Sequence, residues 1–258
     1  MNAPLALITG ASSGIGQALA ERYLRAGYRL ALLARRTAPI EHWLQTQGAL
    51  AQGSVAYAAD VRDLRATADA AQRCLTDQGL PDVVIANAGI SVGMDSAQFD
   101  DLEVLRNTLE TNVVGIAATF QRFIAPMRAR GSGTLVGVAS VAGIRGLPGH
   151  AAYCSSKSAA ITYCESLRGE LRGSCVKVVT LLPGYIDTPL TRKNRYAMPF
   201  LMRADEFADR AFAAVEQGTS YRVIPWQMGV VAKMLRALPN PLYDKLLAGR
   251  PRKHRQGE

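Results

Sequence analysis

The chain is poor in the residues that staple, chelate or span. Its 258 residues include four cysteines, Cys74, Cys154, Cys164 and Cys175, and none forms a Cys-x-x-Cys pair. Its three histidines are scattered. That spacing argues against a disulfide framework and against zinc, so no metal site is expected. No apolar run reaches the roughly 18 residues that cross a bilayer. Met1-Asn2-Ala3-Pro4 leads straight into an apolar strand, without the basic and apolar regions of an export signal. The expected location is the cytoplasm, where the four thiols stay reduced and act as packing residues. Cys154 borders Tyr153, which invites reactivity, but packing is the preferred reading there too. Internal repeats, low-complexity tracts and interdomain linkers are also missing, so residues 1–258 are read as one domain.

Acidic balance is lacking as well, and the formal net charge is +9. Its location decides what it means. Residues 221–258 hold Arg222, Lys233, Arg236, Lys245, Arg250, Arg252, Lys253 and Arg255 against Asp244 and Glu258, which accounts for six of the nine charges. The rest is nearly balanced, so no basic stripe marks a nucleic-acid partner. The segment 226–258 reads as an amphipathic helix followed by a basic tail. A helix packed on the core or on another subunit is preferred. Weak contact with an anionic membrane surface is the alternative.

What the chain has is alternation. Apolar runs at 5–9, 29–34, 54–58, 83–86, 134–139, 176–182 and 220–224 read as strands. Helical stretches lie between them at 14–26, 40–47, 64–78, 102–130, 151–172 and 205–217. Strands that alternate with helices make βαβ units. The continuously apolar strands are those of a sheet covered on both faces. The expected fold is α/β: a Rossmann-like, doubly wound parallel sheet of about seven strands with helices on both faces. Ligands of such sheets bind beyond the carboxyl ends of the strands. Gly10, Arg35, Asp60, Asn87, Ser140 and Pro183 each closely follow a strand.

Thr9-Gly10-Ala11-Ser12-Ser13-Gly14-Ile15-Gly16 follows the first strand and opens a helix. Gly10, Gly14 and Gly16 let the backbone turn tightly and approach a pyrophosphate, whose charge suits a helix N-terminus. Ser12 and Ser13 add hydroxyl donors. The second strand ends in Leu33-Ala34-Arg35-Arg36, with no acid to hold a ribose 2′-hydroxyl. Guanidinium pairs well with a 2′-phosphate, so NADP(H) is expected over NAD(H). Asp60-Val61, after the third strand, is placed to meet the adenine.

Tyr153-Cys154-Ser155-Ser156-Lys157 puts a phenol and an ammonium on one helix face. A nearby ammonium favours the phenolate, so such a Tyr can pass a proton to or from a carbonyl or alcohol oxygen. A proton donor beside a dinucleotide site points to hydride transfer.

With these motifs in order from Leu5 to about Thr188, the chain resembles the short-chain dehydrogenase/reductase family. Thr9–Gly16 is similar to that family's glycine motif, and Asn87-Ala88-Gly89 to the segment that steadies its sheet and lines its cofactor. Asn112, Ser140, Tyr153 and Lys157 match its catalytic tetrad. Pro183-Gly184, with Ile186 and Thr188, matches its nicotinamide-side segment. The resemblance implies Tyr153 as general acid or base, Lys157 on the phenolate and the nicotinamide ribose, and the Asn112 carbonyl holding a relay water. Ser140 is placed to donate a hydrogen bond to the substrate oxygen. His150, three residues before Tyr153, is read as a loop histidine without a catalytic role.

The expected function is NADP(H)-dependent interconversion of a ketone or aldehyde and an alcohol. The resemblance also implies a homodimer or homotetramer. Residues 190–203 mix cations with Tyr196, Met198 and Phe200, without clear period, and read as a substrate lid. Two rival readings share the motifs: an NADP(H)-sensing binding protein without turnover, and a membrane-surface enzyme acting on lipid-like substrates.

Overall fold

Continuously apolar runs become parallel strands when both faces are covered. The computed structural model describes residues 3–192, 194, 196–249, 252, 253 and 255. Its strands are β1 (Leu5–Thr9), β2 (Arg29–Ala34), β3 (Val55–Ala58), β4 (Val83–Ala86), β5 (Gly133–Val138), β6 (Val176–Pro183), β7 (Ile186–Asp187), β8 (Met202–Arg203) and β9 (Tyr221–Ile224). Seven of them form one parallel sheet in the order β3-β2-β1-β4-β5-β6-β9, and β7 pairs with β8 apart from it. The chain thus starts at the middle of the sheet, winds out to β3, then crosses back and winds outward to β9.

The helices are α1 (Gly14–Arg25), α2 (Ala38–Gln47), α3 (Leu64–Asp77), α4 (Asp101–Leu109), α5 (Gly115–Arg130), α6 (Ala151–Glu170), α7 (Ala204–Glu216), α8 (Trp226–Ala237) and α9 (Asn240–Leu247). Alternate residues of one strand feed opposite faces. Ala6 and Ile8 join Leu19, Tyr23 and Phe207 in one core cluster. Leu5 and Leu7 join Phe120, Phe123 and Met127 in the other. The first face is therefore covered by α1, α2 and α7, and the second by α3, α5 and α6.

The single helix expected over 102–130 is continuous but not uniform. A π turn, Glu110–Val114, separates α4 from α5 and carries Asn112. The stretch between 184 and 203 is not wholly irregular either. Ile186 pairs with Met202 and Asp187 with Arg203, so the excursion leaves and returns at one place.

The C-terminal part packs on the domain. Met228, Gly229 and Ala232 of α8 are buried, while Trp226, Val230 and Met234 face outward. Arg145 holds the end of α8 by donating to the carbonyls of Leu235, Arg236 and Leu238, and its guanidinium stacks 3.8 Å over the Tyr243 ring. The chain then returns to the region of 90–101. Gly93 and Arg255 form a bridge, and Arg255 Nε donates to Asp101 Oδ2 at 2.8 Å. Arg250 and Glu258 of the basic tail, and Lys193 and Arg195 of the 190–203 segment, lie outside the described residues. Among the described residues no helix is long and apolar enough to cross a membrane. No cluster of three or more His, Cys, Asp or Glu among them is placed to hold a metal ion.

Candidate active site

The carboxyl ends of β1 to β6 open on a cleft of about 510 Å³. Its floor begins at the glycine loop. Gly10 has φ of +67°, and a Cβ there would lie 2.8 Å from Ala88 Cα. A Cβ on Gly16 would lie 2.2 Å from the Gly10 carbonyl oxygen. Only glycine fits either position, so the loop folds tightly onto the N-terminus of α1. Asn87 anchors it from β4, donating Nδ2 to the Thr9 carbonyl at 3.0 Å. The Thr9 hydroxyl in turn accepts from the backbone N–H groups of Asn87 and Ala88. Backbone held this close, with Ser12, Ser13, Gly14 and Ile15 lining the cleft, is a cradle that fits a pyrophosphate.

The two arginines after β2 part company. Both are exposed, but Arg35 lines the cleft and Arg36 does not. Asp60 and Val61 line it beyond β3. Sequence reasoning missed Arg62, which also lines it. Its guanidinium donates to Asp60 Oδ2 at 2.7 Å and to Asn107 Oδ1 at 3.0 Å. Bonding to Arg62 holds the Asp60 carboxyl below its usual range. The signal was a cation two residues after the strand-end acid, a spacing that solvated turns also show.

Asn112 is fully buried and does not line the cleft. Its Oδ1 accepts from the Ile90 N–H at 2.8 Å, and its Nδ2 donates to the Ile90 carbonyl at 2.9 Å and to Ser156 Oγ at 3.0 Å. The side chain thereby fixes the loop after β4, whose Ala88, Gly89 and Ile90 line the cleft. Lys157 lies behind that loop, and its Nζ donates to the Val138 carbonyl at 2.8 Å. A Cβ on Gly89 would lie 3.5 Å from Lys157 Nζ.

Ser140, Tyr153 and Lys157 converge in the cleft. Ser140 Oγ accepts from the Ala142 N–H at 3.1 Å. Lys157 Nζ is 5.8 Å from the Tyr153 ring centroid, one turn along α6. Burial raises the Tyr153 phenol above its ordinary pKa, and the Ser140 hydroxyl works against that rise. Burial lowers the Lys157 ammonium to about 8. Pro183, Gly184, Ile186 and Thr188 close the same side. Every sequence-predicted residue except Gly16, Arg36 and Asn112 thus lines one cleft, and Gly16 and Asn112 shape its wall from behind.

His150 occupies the N-cap position of α6 without a side-chain capping bond, and it is buried. Burial, and then the charge of Lys253, push its pKa down to about 4. Its ring meets Tyr196 edge-on at 5.8 Å, and Tyr196 lies 6.1 Å from Tyr185. Cys154 is also buried, and burial raises its thiol pKa, which keeps it protonated and unreactive.

The family described as short chain dehydrogenase matches residues 4–198. An uncharacterized oxidoreductase of Myxococcus xanthus is 38% identical over 239 residues, which cover 93% of this chain and 94% of that protein. A short chain dehydrogenase of Burkholderia cenocepacia, solved in complex with NADP, superimposes with a TM-score of 0.81 at 26% identity, over 96% of this chain and 98% of that one. A short chain dehydrogenase/reductase of Burkholderia phymatum, in complex with NAD, has the same fold, with a TM-score of 0.82 at 22% identity over 97% and 96%.

Proposed function

This chain belongs to the short-chain dehydrogenase/reductase family, and from that premise we propose that it interconverts a ketone or aldehyde and an alcohol with NADP(H). It is an oxidoreductase of that family's type, acting on CH–OH donors with NAD(P). The observation that carries the reading is the convergence of Ser140, Tyr153 and Lys157 in the cleft that the glycine loop floors.

A bound nicotinamide supplies the hydride, and the chain's own residues handle the oxygen and the proton. The Ser140 hydroxyl, held by the Ala142 N–H, donates to the carbonyl oxygen and stabilises the charge that grows there. The Tyr153 phenol, kept protonated by burial, gives its proton to that oxygen in reduction and takes it back in oxidation. Lys157 sets the field around the phenol. Burial leaves it close to half-charged at about pH 8, so it carries a charge at neutral pH and exchanges it easily. Asn112 acts at one remove, positioning the loop against which Lys157 rests. A nucleotide-sensing protein without turnover needs none of these proton-transfer groups, and their joint presence favours the enzyme.

NADP(H) is preferred because Arg35 lines the cleft, Arg62 stands nearby and β2 ends without an acid. Arg36 is not needed for it. Residues 190–203 act as the lid on the substrate side, since β7 and β8 pin the two ends of that excursion together and Tyr196 lies against His150.

The test is a panel of ketones, aldehydes and alcohols followed by NADPH absorbance, on the native protein and on Tyr153→Phe. The native protein is expected to turn over part of the panel. Tyr153→Phe is expected to lose at least about 100-fold in kcat while keeping its affinity for NADPH. An active Tyr153→Phe protein removes Tyr153 from the role.

A further inference from the structure

On the reading above, the substrate end of the cleft is the side of Ile90, and residues 252, 253 and 255 lie across the segment 91–95 that follows it and across Gly149. Arg252 packs on Gly149, where an added Cβ would lie 3.0 Å from Arg252 Cβ. Arg255 clamps Asp101 through Nε at 2.8 Å and through its terminal nitrogen at 3.2 Å. Asp101 is buried and also accepts from the Asp95 N–H at 2.6 Å. If the tail left, that carboxylate would lose its counter-charge inside the fold, so the ion pair latches the segment in place.

Between these two anchors stands Lys253. Its Nζ donates to Ser91 Oγ at 3.0 Å, one residue from Ile90 of the cleft lining. Its charge also reaches His150 on the other side of the substrate end. Among the described residues, no carboxylate lies within 4.0 Å of that ammonium, whereas the neighbouring Arg255 has taken Asp101. Ser91 satisfies one of its three N–H donors. A partly buried ammonium with donors to spare, bonded one residue beyond the cleft lining and reaching His150 by its charge, is completed by an anion.

We propose that Lys253 is the anion-recognising residue of the substrate pocket, and that it selects carbonyl compounds bearing a carboxylate at the end away from the reacting carbon. This deepens the oxidoreductase reading and rests on it for the word substrate. The anion site itself stands on the geometry alone.

The experiment uses the full chain, with Lys253→Met and Lys253→Arg. Calorimetric titration with hexanoate and hexanamide reads binding without turnover. Steady-state kinetics with 6-oxoheptanoate and its methyl ester read substrate choice. Native protein is expected to bind hexanoate at least tenfold tighter than hexanamide and to favour the acid over the ester in kcat/KM. Lys253→Met is expected to erase both preferences, with thermal stability and NADPH affinity as controls for folding, and Lys253→Arg to restore them in part. Equal binding of hexanoate and hexanamide by native protein, or an undiminished preference in Lys253→Met, overturns the proposal. A hexanoate preference that depends on Lys253, with no carbonyl or alcohol turned over, upholds the anion site and overturns the oxidoreductase reading instead. Turnover without any acid preference does the reverse.

Discussion

At the scale of single residues, burial sets the chemistry. Tyr153 and Lys157 are shifted in opposite directions, because burial penalises the phenolate in one and the ammonium in the other. The four-residue spacing was legible in the sequence, and so was the intent to pair a phenol with a cation. The direction of each shift was not, since it depends on how much protein surrounds each group. The pH dependence follows. Tyr153 stays protonated across the neutral range, so the alkaline limit of reduction belongs to Lys157. The kcat/KM for carbonyl reduction is expected to fall above about pH 8, with a slope of one proton. A rate profile that stays flat to pH 10 refutes that assignment. The stability sign runs the other way. A lysine whose pKa is depressed in the fold makes the protein more stable as the pH rises through about 8 towards the ordinary 10.5, because the buried charge is lost.

His150 offers a second check at this scale. The folded protein keeps it neutral down to about pH 4, while the unfolded chain takes a proton near 6.5. Stability should therefore fall as the pH drops through that window, by about 3 kcal/mol in all. Urea midpoints of native protein and His150→Asn, measured at pH 7 and pH 4.5, are expected to diverge, with the native protein losing more on acidification.

At the scale of elements, the π turn is the instructive case. Apolar periodicity over 102–130 predicts one helix, and one continuous helix is present. The extra residue accommodated at Glu110–Val114 turns Asn112 toward Ile90 and Ser156. Hydrophobic period alone does not carry that information, because the shift is driven by three polar contacts made at a distance in sequence. Asn112→Ala would remove the side chain that satisfies both backbone polar groups of the partly buried Ile90. A loss of about 3 kcal/mol is expected, or roughly 6–12 °C in Tm. Scanning calorimetry checks it, and a fall in kcat is expected alongside as Ile90 and the Lys157 rest are released. The basic tail makes the same point. Composition marked it as charged, but only folding shows that Arg255 meets the buried Asp101 of α4.

At the scale of the whole molecule, the sheet order brings the ends of β1, β2, β3, β4, β5 and β6 to one edge. Residues from 10 to 191 share a single cleft there. A ligand held by so many segments stabilises the fold as a unit. NADPH at 100 times its dissociation constant should contribute about 2.7 kcal/mol, a rise in Tm of roughly 5–10 °C. NADH at the same concentration should give less, and Arg35→Asp should narrow the difference. Equal shifts with both cofactors would count against the assignment of Arg35 to a 2′-phosphate.

The sequence by itself determined the order of the seven sheet strands and the glycine turns between β1 and α1, because these depend on local periodicity and on residue types at short spacing, while Asn112, Ser140, Tyr153 and Lys157 came from it as candidates through the family resemblance. Tertiary structure alone decided that Arg35 faces the cleft and Arg36 does not. It also decided that Arg62 takes Asp60, that Asn112 bonds both backbone groups of Ile90, and that Lys253 meets Ser91 from far along the chain. Each of these is a contact between residues separated by turns or by long stretches of sequence. Such contacts are set by how the elements pack, and no local pattern encodes them.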